Sequence, residues 1–180
     1  MKRGYATVVR VTRALLSFSI ALAPLAVALR AAGAPAETPA AIAAPGETPI
    51  VTLHAAGAQI YECKPGSDGK LAWAFREPIA TLMLEGKTVG RHYAGPTWEH
   101  ADGSAVTGKA TGNAPGATAN DIPWLKLEVV GRRGSGTFAA VTTVQRINTQ
   151  GGVLRGVCEE AGALVSAPYS ADYVFLRKGG

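Results

Sequence analysis

Apolar and polar residues alternate with period two over most of the chain beyond residue 49, the signature of half-buried strands. The clearest run is "WLKLEVV" at 124–130, where Leu125, Leu127 and Val129 fall on one face and Lys126 and Glu128 on the other. "LAWAFRE" at 71–77 alternates Leu71, Trp73 and Phe75 with smaller or polar residues, and Trp73 reads as core. "IVTLH" at 50–54, "QIYEC" at 59–63 and "IATLML" at 79–84 read as further short strands, the last bounded by Pro78. "TFAAVTTVQRI" at 137–147 is long and β-branched enough for one strand of a hairpin. "PYSADYVFLRK" at 168–178 puts Tyr169, Tyr173 and Phe175 on one face. Turn signals recur at Ser67-Asp68-Gly69, Glu85-Gly86, Asp102-Gly103 and Gly151-Gly152. The composition of 112–121 ("GNAPGATAND") predicts a mobile loop. The prediction is an all-β, single-domain antiparallel β-sandwich or barrel-like fold, with few or no helices after residue 36.

The first 36 residues break the pattern. Lys2, Arg3, Arg10 and Arg13 precede an apolar run at 14–29, and A-x-A patterns follow it. This is the layout of a secretory signal peptide, with cleavage expected after Ala36. The run is short for a span of about 20 residues, and Pro24 within it and Arg30 just after it work against a span, so a membrane anchor is the poorer reading. No stable membrane anchor is expected after cleavage, and the protein is expected to be periplasmic or extracellular. Residues 37–48, rich in Ala, Pro and Thr, read as a flexible linker. Residues 49–180 suit one domain with one core.

Export changes the charge picture. The whole chain is formally +5, but five of its 18 basic residues lie in the leader. The remainder carries 13 basic and 13 acidic residues, so no basic footprint for nucleic acid is left. Cys63 and Cys158, an even count in an exported chain, are expected to form a disulfide, the alternative being two buried thiols. No metal site is expected from two cysteines so far apart, and no glycine-rich phosphate loop points to a cofactor.

Candidate chemistry concentrates in "GRHYAGPTWEHADGSAVTGK" at 90–109. Residues 88–93 read as a strand, Gly95-Pro96 as a bend, and Asp102-Gly103 as a hairpin turn into 104–109. The expected ligand site is the concave side of this bent pair, with His92, Tyr93, Trp98 and Glu99 converging there together with Trp124. Indole and phenol faces suit stacking on sugars or flat molecules. Asp102 is expected to be scaffold, closing the turn. A competing reading makes His92 and Glu99 an acid/base pair. No Gly-x-Ser-x-Gly elbow accompanies them to supply a nucleophile.

The blocks "GAQIYEC", "GRHYAGPTWEHADGSAVTGK", "NDIPWLKLEVV", "VTTVQRINTQGG" and "YSADYVFLRK" resemble, in order, the family catalogued as domain of unknown function 3455, exported proteins of bacteria and fungi. The resemblance covers residues 49–178. It implies a secreted β-rich domain and brings no established activity, substrate or catalytic residue. The sequence therefore reads as an exported, noncatalytic domain that binds a small molecule, glycan or envelope component. Its alternatives are a structural or protein-interaction module of the cell surface, and an extracellular hydrolase or lyase using His92 and Glu99.

Overall fold

Eight strands succeed one another round a closed ring. They are β1 (Glu47–Pro65), β2 (Leu71–Leu84), β3 (Lys87–Tyr93), β4 (Thr97–His100), β5 (Ala105–Ala114), β6 (Trp124–Arg133), β7 (Thr143–Gly151) and β8 (Leu164–Lys178). Each pairs antiparallel with the next, and β8 returns to pair with β1, so the barrel alternative is the one realised. The computed structural model describes residues 38–179, together with Met1 and Gly4. The expected signal peptide otherwise lies outside the described residues.

The alternation does in three dimensions what it promised in one. Along β1, Leu53, Ala55, Gln59, Tyr61 and Cys63 are buried, and their neighbours are more exposed. From β8, Tyr169, Ala171, Tyr173 and Phe175 point into the same interior. Two breaks expected from sequence are continuous strand. Residues 50–54 and 59–63 belong to one β1, because Gly57 marks a close crossing: a Cβ there would strike the Ile79 carbonyl and Ala80. Residues 71–77 and 79–84 belong to one β2. Pro78, which has no N–H to give the ladder, sits beside a bulge between Ile60 and Tyr61. There Ile60 faces Glu77 while Tyr61 faces Phe75, so Arg76 is the extra residue. The bulge reverses the alternation, and Phe75 joins Pro78, Ala80 and Leu82 on the inner side. Trp73, read as core, is only half-buried, near the strand's start.

The two ends of the barrel differ. At one end the connection between β6 and β7 folds inward. Residues 137–142, expected as strand, are turn and loop here. The reason is Phe138, which leaves the ladder to plug the barrel, stacking on Phe175 with ring centroids 4.2 Å apart. Asp102 holds this plug. One of its oxygens accepts from the Ser104 N–H and hydroxyl (2.9 and 2.6 Å), the other from the Thr137 N–H and hydroxyl (both 2.8 Å). Ser104 Oγ then accepts from the Phe138 N–H at 3.1 Å. These donors hold the Asp102 carboxyl well below the usual carboxylate range, the Ser104 hydroxyl being the largest cause. Asp102 is thus scaffold, as expected, tying the β4–β5 turn to the plug loop. Because the side chain is about a third exposed and water screens part of the gain, Asp102→Ala is expected to cost only about 2 kcal/mol. Urea denaturation checks this, and an unchanged midpoint would refute it.

The segment read as linker carries a short 3-10 turn, η1 (Ala40–Ile42), and runs into β1 from Glu47. Ile42 is fully buried, a burial worth about 2 kcal/mol. The Gln145 amide donates to the Ile42 carbonyl and Lys126 Nζ to that of Ala43. Cys63 and Cys158 are joined, with Cα atoms 5.9 Å apart.

Candidate functional site

The other end of the barrel is open. A cavity of about 810 Å³ lies there, lined in part by the β3–β4 turn (Gly95, Pro96) and the β5–β6 connection (Ile122, Pro123). Its deep wall is aromatic. His92 and Trp98, cross-strand partners on β3 and β4, stack with ring centroids 4.6 Å apart and planes within 7°. Tyr173 meets both, at 5.0 and 5.3 Å. Beyond Trp98 the column continues to Phe175 and the Phe138 plug. Gly108 makes room for the indole, since a Cβ there would come within 3.1 Å of both Trp98 and Leu127.

His92 is 2 % exposed, and its Nδ1 lies 2.8 Å from the Thr97 carbonyl. A carbonyl only accepts, so Nδ1 carries the proton. Burial pushes the imidazole pKa down to about 3, the Thr97 bond opposing and the charge of Arg146 assisting. At neutral pH the ring is uncharged, with Nε2 as its lone-pair nitrogen. Burial likewise pushes the Tyr169 and Tyr173 phenols up, so both stay protonated.

Two donors on this wall lack an acceptor. Gln59 Nε2 and Trp98 Nε1, on side chains 3 % and 1 % exposed, have no hydrogen-bond partner among the described residues. The Tyr169 and Tyr173 hydroxyls lie close enough to feel Gln59 and Trp98 respectively, but outside hydrogen-bond geometry with these nitrogens. Buried donors are paired in the great majority of cases. The cavity is where a partner for these two has room.

The five residues expected to converge separate onto two faces. His92 and Trp98 line the cavity. Tyr93 and Glu99, their immediate neighbours, project outward because successive strand residues alternate. On the outer surface Glu99 accepts from Arg91 (3.0 Å), Arg133 (2.7 Å) and the Tyr93 hydroxyl (2.9 Å). These bonds, Arg91 first, hold its carboxyl below the usual range. Trp124 obeys the same rule: it shares the face of Lys126, opposite Leu125, and takes no part in the cavity wall. The expected single concavity is therefore corrected to a pair, His92 and Trp98. His92 and Glu99 form no acid/base couple, being on opposite sides of the sheet.

The residues that sequence reasoning missed are Gln59, Arg146 and Tyr173. They come from β1, β7 and β8, far apart in the chain. A usable signal existed: Gln59 shares the inward face of Tyr61 and Cys63, and Arg146 that of Val144, polar residues at positions where the pattern calls for apolar ones. The loop at 112–121 differs as well. β5 runs to Ala114, and Asp121 pins the rest of the loop by accepting from the Gly151 N–H (2.6 Å) and from the Thr118 N–H and hydroxyl (2.9 and 2.7 Å).

The fold and site together define an eight-stranded up-and-down barrel, plugged at one end and hollow at the other. The chain belongs to the family described as Protein of unknown function (DUF3455), whose model matches residues 44–88 and 83–177. No curated protein and no solved structure matches it.

Proposed function

We propose that this protein is an exported binding domain that holds one small, largely apolar molecule in the open end of its barrel. The observation that carries this reading is the cavity itself. Eight strands make an interior wide enough for side chains alone or for one small ligand. Here the plugged half is filled and the open half is left at about 810 Å³, within the usual range of small-molecule sites. Its wall combines aliphatic and aromatic surface with a few fixed polar groups, the pattern that gives affinity from burial and orientation from hydrogen bonds. A bulky glycan fits this wall less well, since sugars need many polar partners and the lining offers few.

A neutral apolar fluorophore, N-phenyl-1-naphthylamine, tests the reading. Titration into the purified protein is expected to saturate at about one site per chain. Ala110 lines the cavity from an exposed position on β5, so Ala110→Trp is expected to fill the mouth with little loss of stability. It is expected to weaken binding roughly tenfold or more, as about 1.4 kcal/mol of lost contact does. No saturable binding, or equal binding by the Ala110→Trp protein, overturns the reading.

A further inference from the structure

The charges around the cavity are one-sided. Arg76, Lys109 and Arg146 line it, and no aspartate or glutamate does. The three cations are not equivalent. Arg76 is neutralised by Glu62 and Glu77, at 3.8 and 3.2 Å. Lys109 is exposed and stands opposite Glu128 in the β5–β6 ladder, on the outward face, so its charge points away from the cavity. Arg146 projects inward from β7, in register with Leu125 and with Tyr173 of the cavity's deep wall. Its Nε and Nη2 both donate to the Pro123 carbonyl, at 3.0 and 2.8 Å. That contact fixes the plane of the guanidinium. It supplies only the partial charge of a carbonyl, and no carboxylate lies within ion-pair distance of Arg146 among the described residues.

Three other arginines of this barrel meet carboxylates, Arg91 and Arg133 on Glu99 and Arg76 on Glu62 and Glu77, while Arg132, Arg155 and Arg177 are exposed and off the cavity wall. Arg146 alone among them is half-buried, clamped in position and uncompensated, on the wall of an apolar cavity. A cation taken partly out of water without a counter-charge is costly. The two unpartnered donors, Gln59 Nε2 and Trp98 Nε1, want acceptors on the same wall. Cation and donors ask for one thing, an oxygen acceptor bearing negative charge. The rest of the wall asks for an apolar body.

We propose that the occupant of the cavity is an apolar organic acid, its carboxylate held by Arg146 and its body lying along Trp98 and His92. This rests on the reading of the cavity as a binding site and narrows it to a ligand class. One fixed guanidinium with free N–H groups matches a single carboxylate, which accepts two parallel hydrogen bonds from it. A polyphosphate would leave charge unmatched against Leu125, Leu127 and Ile122. A neutral sterol-like or aryl body would leave Arg146 as it is, uncompensated. His92, uncharged and stacked on Trp98, adds aromatic surface without adding a competing charge.

The test compares a polyene fatty acid, cis-parinaric acid, with its methyl ester, by fluorescence titration of the purified protein after delipidation, at neutral pH and low salt. The acid is expected to bind roughly tenfold or more tighter than the ester, the range of a charge-assisted hydrogen-bonded pair. In Arg146→Gln this preference is expected to fall to near unity. Arg146→Lys is expected to keep part of it, having the charge without the fork. Equal binding of acid and ester by the wild-type protein, or a preference that survives in folded Arg146→Gln, overturns the organic-acid inference and leaves the binding reading standing. Failure of both probes and of the neutral fluorophore overturns the binding reading, and this inference with it.

Discussion

Acidification from pH 6.5 to 4.5 is expected to destabilise the folded protein by about 1.4 kcal/mol per pH unit, through His92 alone. The sign comes from the direction of its shift. In the unfolded chain the imidazole titrates near 6.5, and in the barrel burial against Trp98 and Tyr173 brings it to about 3. Between those values the unfolded state binds a proton that the folded state refuses. Stability is therefore full above pH 6.5 and falls as pH drops through the window, by about 5 kcal/mol in all at its lower end. Asp102, Asp121 and Glu99, whose carboxyls are held low by hydrogen bonds, lose their contributions only as pH falls through the carboxylate range. The upper part of the window thus isolates the histidine. Urea midpoints measured at half-unit steps should slope in the wild-type protein and flatten in His92→Phe, which keeps a ring against Trp98 but nothing to titrate. Equal slopes in the two proteins would remove His92 as the cause.

Removal of the Cys63–Cys158 bond is the second large effect expected. The bridge spans 95 positions, and in the chain-entropy treatment a loop of that length is worth about 4–5 kcal/mol, with about 2–5 kcal/mol the usual measured loss. Its structural role is local too. Cys158 lies in the long connection between β7 and β8. Four backbone bonds hold that connection to β1 and β2: Cys63 N to Ala163 O, Gly162 N to Cys63 O, Cys158 N to Leu71 O, and Trp73 N to Gly156 O. Nearby, the Tyr61 hydroxyl donates to the Gly152 carbonyl at 2.8 Å, so the same connection steadies a residue of the cavity wall. The double variant Cys63→Ser, Cys158→Ser should show a lowered urea midpoint and faster amide exchange across 152–163 than across the β1–β8 ladder. A midpoint unchanged from the oxidised protein would show the bridge to be energetically idle.

The strands are legible in the sequence because alternation is local, a property of each residue and its second neighbour. Where they start and stop is less so. Gly57 and Pro78 look like breaks in one dimension, and only the crossing of β1 and β2 shows that one is a close contact and the other a companion of a bulge. Phe138 departs from expectation for a similar reason: "TFAAVTTVQRI" has strand composition throughout, and nothing local says that its first aromatic is needed to seal a barrel end. The site is half legible. His92 and Trp98 stand out as rare residues in a glycine-punctuated segment, but alternation itself separates them from Tyr93 and Glu99, just as it places Trp124 opposite Leu125. Alternation marks Arg146 and Gln59 as polar residues at inward positions, but only closure of the ring brings β7 and β1 to the same cavity as β4.

That closure has a consequence for the order in which the chain is made. β1 shares its longest ladder with β8, from Glu47 opposite Lys178 to Glu62 opposite Leu164. As the polypeptide emerges from its N-terminus, β1 has β2 on one side and nothing on the other until residues 164–178 appear. Through almost all of synthesis the nascent sheet thus carries two raw borders, β1 and whichever strand came last, each a template for pairing with a neighbouring chain. The final strand is the one that removes both at once, so this domain is most in need of a chaperone's cover just before the fifteen residues of β8 arrive.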